Sequence, residues 1–127
     1  MRLQESGEMY LESIYVLAQK GGNVRSIDIS EYMGYAKPSV SRAVSLLKNG
    51  GYITMDKDNY IHLTDAGLEI ARKIYERHTV LSEMLMRIGV SEQTAAEDAC
   101  RIEHDLSDES FEAIKTHVER MNAMIAY

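Results

Sequence analysis

The chain has 127 residues, 45% hydrophobic and 27% charged, which is enough for one domain-sized core or for two small lobes. It shows no apolar run near about 18 residues and no basic-plus-apolar leader, so we expect no membrane span, no secretory signal and a cytoplasmic location. The single cysteine excludes an internal disulfide.

The net charge of −6 is unevenly distributed along the chain. Residues 1–63 hold 7 basic and 7 acidic side chains, whereas residues 64–127 hold 7 and 13, so the whole excess lies in the second half. A neutral first half with locally placed cations can approach the phosphates of DNA. The acidic second half is better suited to binding cations.

The first half predicts three helices. Apolar periodicity indicates a helix over residues 3–19, with one apolar stripe and, roughly opposite, a second stripe of Met9, Glu12 and Val16. Ser26 is the expected N-cap of a short second helix. Pro38 is expected at the first position of a third helix that ends at the Gly50-Gly51 pair.

Two alternating runs over 52–55 and 60–63, separated by a turn-rich segment, predict a β-hairpin with one buried side. Three helices followed by a hairpin are typical of a winged helix-turn-helix, in which the third helix enters the major groove of DNA. We expect Arg42 to reach guanine edges and the serines to reach phosphates. The alternative to DNA binding is that this face of the third helix is only exposed to solvent. The candidate DNA-binding residues are Lys37, Pro38, Ser39, Ser41, Arg42, Ser45 and, in the hairpin turn, Lys57.

The second half predicts three further helices, capped in turn by Thr64, Ser91 and Ser107. The apolar stripe of the long fourth helix includes Tyr75, His78 and Ile88. The sixth helix carries a narrow apolar seam, which usually meets another helix of the same chain or of a second subunit. We therefore expect a mainly α fold, with a DNA-binding domain over 1–70 and a helical metal-binding and dimerisation domain over 71–127.

Three possible metal donors, Cys100, Glu103 and His104, stand at positions i, i+3 and i+4 of the fifth helix and would share one face. Taken singly, each of these donors has a more common role. A cysteine or a histidine is more often a core residue, a methionine more often serves only in packing, and a glutamate is more often a solvated carboxylate. Their combination is stronger, because six donors on three helices could hold one or two divalent ions. The candidate ligands are Met9, Glu12, His78, Cys100, Glu103 and His104.

The types of donor atom indicate which metal ion the site prefers. Carboxylates suit Mn²⁺, whereas sulfur shifts preference toward softer ions, so we expect Fe²⁺ ahead of Mn²⁺, with Co²⁺, Ni²⁺ or Zn²⁺ as substitutes. No catalytic motif is present, so we expect no enzyme. The alternatives are a winged-helix regulator that senses an organic ligand or the oxidation of Cys100, a metal-dependent hydrolase, and a scaffold for protein contacts.

Four segments carry a family resemblance: Glu8-Met9-Tyr10-Leu11-Glu12, Lys37-Pro38-Ser39-Val40-Ser41, Arg77-His78, and Asp98-Ala99-Cys100-Arg101-Ile102-Glu103-His104. Over nearly its whole length the chain resembles the diphtheria toxin repressor family of metal-dependent transcriptional repressors. The resemblance implies a homodimer that binds palindromic operator DNA when loaded with Fe²⁺ or Mn²⁺ and controls metal uptake.

The resemblance also implies roles for single residues. Met9, Cys100, Glu103 and His104 match the primary site of the iron-responsive branch, and Glu12 and His78 match ligands of the second ion in the manganese branch. The iron branch has an acid where this chain has Ser82, and Glu83 is one residue out of phase, so we expect a hybrid arrangement. The chain ends at Tyr127 and in size resembles the compact manganese regulators, which lack the SH3-like domain.

Overall fold

The computed structural model describes residues 5–125, and the side chains of residues 5–124. The chain divides into two compact units between Lys73 and Ile74, a division that falls inside the fourth helix. Residues 3 and 4 of the predicted first helix lie outside the described part. The described elements are α1 (Glu5–Gln19), α2 (Ser26–Met33), α3 (Lys37–Asn49), β1 (Ile53–Met55), β2 (Ile61–Leu63), α4 (Asp65–Arg87), α5 (Glu92–Ile102) and α6 (Asp108–Ile125).

The first unit is a winged helix-turn-helix, as the sequence predicted. Helices α1, α2 and α3 contact one another, and β1 contacts α3 while β2 contacts α1. Apolar side chains that recur at helical spacing are removed from water together, which stabilises this arrangement. The core residues, all at most 7% exposed, are Tyr10, Leu11, Ile14, Val24, Ile29, Val40, Val44, Leu47, Ile53, Ile61 and Ala71.

Helix α2 begins one residue earlier than expected. Arg25, and not Ser26, is the N-cap, and the carboxylate of Asp28 accepts a hydrogen bond of 2.9 Å from the backbone N–H of Arg25. An acid three residues into a helix can thus satisfy a terminal donor from inside the helix. Gly34, with φ of 73°, ends α2. A short turn then leads to α3, whose first residue is Lys37, so that Pro38 is second.

The hairpin pairs Ile53 with Leu63 and Met55 with Ile61 in antiparallel register. Ile53 and Ile61 are buried while Thr54 and His62 are exposed, which confirms the predicted one-sided hairpin. The backbone N–H of Ile61 also donates to Val24 O at 2.7 Å, a contact that ties the hairpin to the segment before α2. The wing is therefore held on the core by its buried face.

The second unit contains the rest of α4 together with α5 and α6. Ser91 accepts a hydrogen bond from Thr94 N, and Ser107 accepts one from Ser110 N, which confirms both predicted caps. Gly67 N donates to Thr64 Oγ1 at the start of α4, so the third predicted cap is confirmed as well. The buried apolar residues of this unit are Ile74, Leu81, Ala95, Ala99, Phe111 and Val118.

The predicted stripe of α4 was wrong in part. Tyr75 is 39% exposed and Ile88 is 69% exposed, whereas Arg77 is only 4% exposed. The buried line of α4 in the second unit therefore runs through Ile74, Arg77 and Leu81, because the guanidinium group of Arg77 finds partners inside the unit.

Candidate metal centre and nucleic-acid interface

Helix α5 ends before the candidate ligands Glu103 and His104. Its last residue is Ile102, and Glu103 is the C-cap, still with helical dihedral angles and with its N–H donating to Ala99 O at 2.9 Å. Asp105 N donates to Ile102 O at 3.0 Å, so the chain tightens into a turn at this point. The fifth helix is therefore shorter than the sequence predicted, and His104 belongs to the turn after α5.

The carboxyl group of Glu103 is the centre of the polar cluster. Glu103 is 0% exposed, and its Oε2 lies 2.8 Å from His78 Nδ1. Its Oε1 lies 3.4 Å from Nε2 of His104, whose side chain is 1% exposed, and no described group donates a hydrogen bond to this Oε1. The structure thus brings His78, Glu103 and His104 together.

This environment fits a cation. Burying a carboxylate without full hydrogen bonding is unfavourable, so such groups are normally paired with charge or coordinate a metal. Imidazole nitrogen and carboxylate oxygen are also the donors that divalent ions such as Mn²⁺, Fe²⁺ and Zn²⁺ accept. The donor set and the incompletely satisfied Glu103 Oε1 therefore match the requirements of a divalent metal ion.

Arg77 fixes the turn that carries two of these residues. One of its terminal nitrogens donates to Glu103 O at 3.0 Å and to Leu106 O at 2.6 Å, and the other donates to Asp108 Oδ1 at 2.6 Å. Its guanidinium carbon also lies 5.2 Å from the centre of the Phe111 ring. These bonds satisfy carbonyl oxygens of the segment between α5 and α6, where no helix provides the donors.

The sequence interpretation did not assign this role to Arg77. A signal was present, because Arg77 stands three residues after Ile74 and four before Leu81, the spacing of a buried stripe. A charged residue at such a position is usually buried only when it has partners.

The remaining candidate ligands lie on helices. Cys100 is a half-buried cysteine outside any disulfide, in the last turns of α5. Met9 and Glu12 are half-buried residues one turn apart on α1, in the first unit. Their spacing places both on one side of that helix.

Ser82 and Glu83 stand at and beside the position where the resemblance places an acid in the iron branch. The Oγ of Ser82 is buried with no hydrogen-bond partner among the described residues. The carboxylate of Glu83 accepts hydrogen bonds from Arg87 at 3.2 and 3.3 Å, one turn further along α4.

The outward side of α3 provides the candidate nucleic-acid interface. The helix contains Lys37, Arg42 and Lys48 and no acidic residue. Its candidate residues Lys37, Pro38, Ser41, Arg42 and Ser45 are exposed, and Ser39 is half-buried with its Oγ 3.4 Å from an Arg42 nitrogen. A positive helix with short polar side chains is suited to a phosphate-lined groove.

The hairpin turn is ordered by Asp56 and presents Lys57 to solvent. One carboxylate oxygen of Asp56 accepts hydrogen bonds from the N–H groups of Asp58 and Tyr60. The other lies 2.9 Å from His62 Nε2, and this hydrogen bond lowers the pKa of the Asp56 carboxyl. Lys57 is exposed next to this rigid turn, as a contact with a DNA backbone would require.

A winged helix in one unit, with a cation-compatible carboxylate in the other, is the arrangement of a metal-dependent transcriptional regulator. Residues 2–61 match the family model described as iron dependent repressor, N-terminal DNA binding domain. Residues 64–123 match the model described as iron dependent repressor, metal binding and dimerisation domain. The chain therefore belongs to the iron dependent repressors, the diphtheria toxin repressor family of metal-dependent transcriptional repressors.

Individual relatives agree with this assignment. The chain is 34% identical over 116 residues to the HTH-type transcriptional regulator MntR of Lysinibacillus sphaericus. The aligned region covers 91% of this chain and 84% of that protein. It is 31% identical over 120 residues to an uncharacterised HTH-type transcriptional regulator of Methanocaldococcus jannaschii, covering 93% of this chain and 96% of the relative.

Among solved structures, that of the manganese regulator SloR superposes with a TM-score of 0.81 at 27% identity and covers 94% of this chain. The chain spans 55% of the length of SloR. Within residues 5–125, no helix is both long and apolar enough to cross a membrane.

Proposed function

We propose that this protein is a cytoplasmic repressor which binds palindromic operator DNA as a homodimer when loaded with Fe²⁺ or Mn²⁺ and thereby controls metal uptake. The observation that carries the proposal is the buried Glu103 carboxyl between His78 and His104, with one oxygen that no described donor satisfies. The family supplies the DNA-binding and dimerisation roles of the two units.

Six residues form the proposed ligand set. His78, Glu103 and His104 provide imidazole and carboxylate donors from α4 and from the turn after α5. Cys100 adds a thiolate, and Met9 and Glu12 add a thioether and a carboxylate from α1. Glu103 and His104 hold the ion, whereas the sulfur atoms of Met9 and Cys100 set the preference for Fe²⁺ over Mn²⁺. The names of MntR-type relatives and of SloR, a manganese regulator, keep Mn²⁺ as the other candidate.

Activation is electrostatic in this proposal. A bound divalent cation would supply positive charge that offsets the carboxylates of the ligand set. Without it, the uncompensated negative charges of the ligand set would disfavour the DNA-binding arrangement. A coupling of about 1–3 kcal/mol then favours the arrangement in which the α3 helices of two subunits match successive major grooves.

The first test is operator binding with and without metal. DNA that binds the metal-loaded protein can be selected from a random library, and its affinity measured by fluorescence anisotropy with Fe²⁺, with Mn²⁺ and with chelator. We expect a loss of about 5- to 150-fold in chelator, which is the range of typical coupling energies. Equal affinity in all three conditions would contradict metal activation, and the cysteine could then be tested as a thiol sensor.

The donor argument is tested in the same assay by replacing both sulfur ligands. In the double variant Met9→Asp with Cys100→Asp, hard oxygen donors replace the thioether and the thiolate, so activation is expected to shift from Fe²⁺ toward Mn²⁺. The matched control is Met124→Asp, because Met124 is a 79% exposed methionine on α6. If the double variant ranks the two metals as the wild type does, sulfur does not set the preference.

A further inference from the structure

The outward side of α3 contains one large apolar side chain that the core does not use. Leu46 is 72% exposed, whereas the other large apolar residues of this helix, Val40, Val44 and Leu47, are at most 3% exposed. Leu46 lies one helical turn after Arg42, and the two side chains border an open depression together with Ser41 and Ser45. An exposed leucine side chain thus lies next to Arg42, the arginine that we expect to contact a base.

The charge of α3 indicates what this leucine meets. The helix carries three cations and no acid, within a chain of net charge −6. A complementary partner surface must be strongly anionic and must also offer an apolar group next to a hydrogen-bond acceptor. The major groove of DNA has both, because guanine presents two acceptors and thymine presents a methyl group.

We propose that Leu46 is a specificity-determining residue that packs on a thymine methyl group while Arg42 binds a guanine in the same half-site. This inference rests on the proposed function, because it requires α3 to enter the major groove. Four residues of α-helix advance about 6 Å, close to the rise of two base pairs. The thymine is therefore expected within about two base pairs of the guanine.

The test uses the full-length, metal-loaded protein and the operator recovered by selection. Replacing single guanines with 7-deazaguanine locates the base read by Arg42, since this change removes only the N7 acceptor. Replacing single thymines with deoxyuridine removes only a methyl group. At one thymine near that guanine we expect affinity to fall about fourfold for one half-site and about fifteenfold for both, from the typical value for burying one methylene-sized group.

Variants then assign this methyl dependence to the leucine. In Leu46→Ala the ratio of affinities for thymine and deoxyuridine is expected to fall to about one. Lys48→Ala is the matched control, because it removes an exposed side chain of the same helix. Whatever this control does to overall affinity, the ratio should stay at its wild-type value. Circular dichroism and thermal unfolding establish that each variant is folded.

The outcomes separate the inference from the function on which it rests. If selection recovers no preferred DNA sequence, the proposed function fails, and the role of Leu46 fails with it. If an operator is recovered but no thymine near the guanine is sensitive to loss of its methyl group, the function stands and the Leu46 assignment is overturned. The assignment is likewise overturned if Leu46→Ala keeps the wild-type ratio, and the leucine would then belong to a protein contact.

Discussion

Replacing Glu103 with glutamine is expected to abolish metal-activated operator binding without lowering the stability of the metal-free protein. Glutamine has nearly the same shape and can keep the hydrogen bond to His78, but it carries no negative charge. Loss of a residue that only orients a ligand already costs about 10- to 100-fold in metal affinity, so loss of a central ligand should cost at least about 100-fold. Metal affinity can be measured by competition with a chromophoric chelator.

An ordinary substitution in the core lowers the stability of the protein, but Glu103→Gln is expected to leave the stability of the metal-free protein unchanged or to raise it. Glu103 is fully buried, and one of its oxygens is incompletely satisfied. A neutral amide is less costly than a carboxylate to keep in such a place. The midpoint of thermal unfolding without metal should therefore be equal to or higher than that of the wild type, while the rise in midpoint on adding metal is lost.

Glu97→Gln is the matched control for Glu103→Gln. Glu97 is an exposed acid of helix α5, and Gln93 Nε2 donates a long hydrogen bond of 3.3 Å to its carboxylate. This variant should keep wild-type metal affinity and operator binding. A Glu103→Gln protein that still responds to metal would show that the buried carboxyl group is structural.

Replacing Arg77 with methionine is expected to lower the free energy of unfolding by about 1–3 kcal/mol for each buried carbonyl group that is left without its donor. Methionine fills similar space but donates no hydrogen bond. The carbonyl oxygens of Glu103 and Leu106 then lose their donor, and the turn that carries Glu103 and His104 is no longer fixed. Denaturant titration of the metal-free protein measures this change.

The control for Arg77→Met is Asp108→Asn. The side chain of Asp108 is 72% exposed although it pairs with Arg77 at 2.6 Å, and an exposed partner of this kind contributes less than about 1 kcal/mol. We therefore expect a small effect from Asp108→Asn and a large one from Arg77→Met. Equal effects would indicate that the ion pair, and not the bonds to the two carbonyl groups, accounts for the role of Arg77.

Features that depend on neighbouring residues could be predicted from the sequence. Apolar periodicity located the helices and the hairpin, because amphipathic segments bury one face whatever they pack against. The caps at Thr64, Ser91 and Ser107 were predictable for a similar reason, since each hydroxyl accepts from a backbone N–H three residues ahead. In α2 the cap was misplaced by one residue, because an interior carboxylate can perform the same task.

Features that depend on distant residues could not be predicted. Helix α5 stops at Ile102, and Arg77, which binds the carbonyl group that follows, is 26 residues away from Glu103 in the chain. The same contact draws Arg77 into the unit and leaves Tyr75 exposed, so a stripe drawn from apolar residues alone was misaligned.

The candidate site was predictable as a set of residue types but not as a geometry. Glu103 was chosen as a ligand from its spacing to Cys100 and His104, yet the helix ends before it and its burial comes from the turn that Arg77 stabilises. The pairing of Glu103 with His78 joins positions 25 residues apart. The participation of Met9, Glu12 and Cys100 stays a prediction, supported by donor chemistry and family resemblance.

The most direct test of metal activation is the reciprocal one. Binding of metal and of operator DNA must be coupled by the same factor in both directions if the metal favours the DNA-binding arrangement. Fe²⁺, kept anaerobic, and Mn²⁺ can each be titrated into the protein with and without saturating operator. We predict that operator raises metal affinity by about 5- to 150-fold, by the same factor that metal raises operator affinity. Metal affinity that is identical with and without operator would contradict the account.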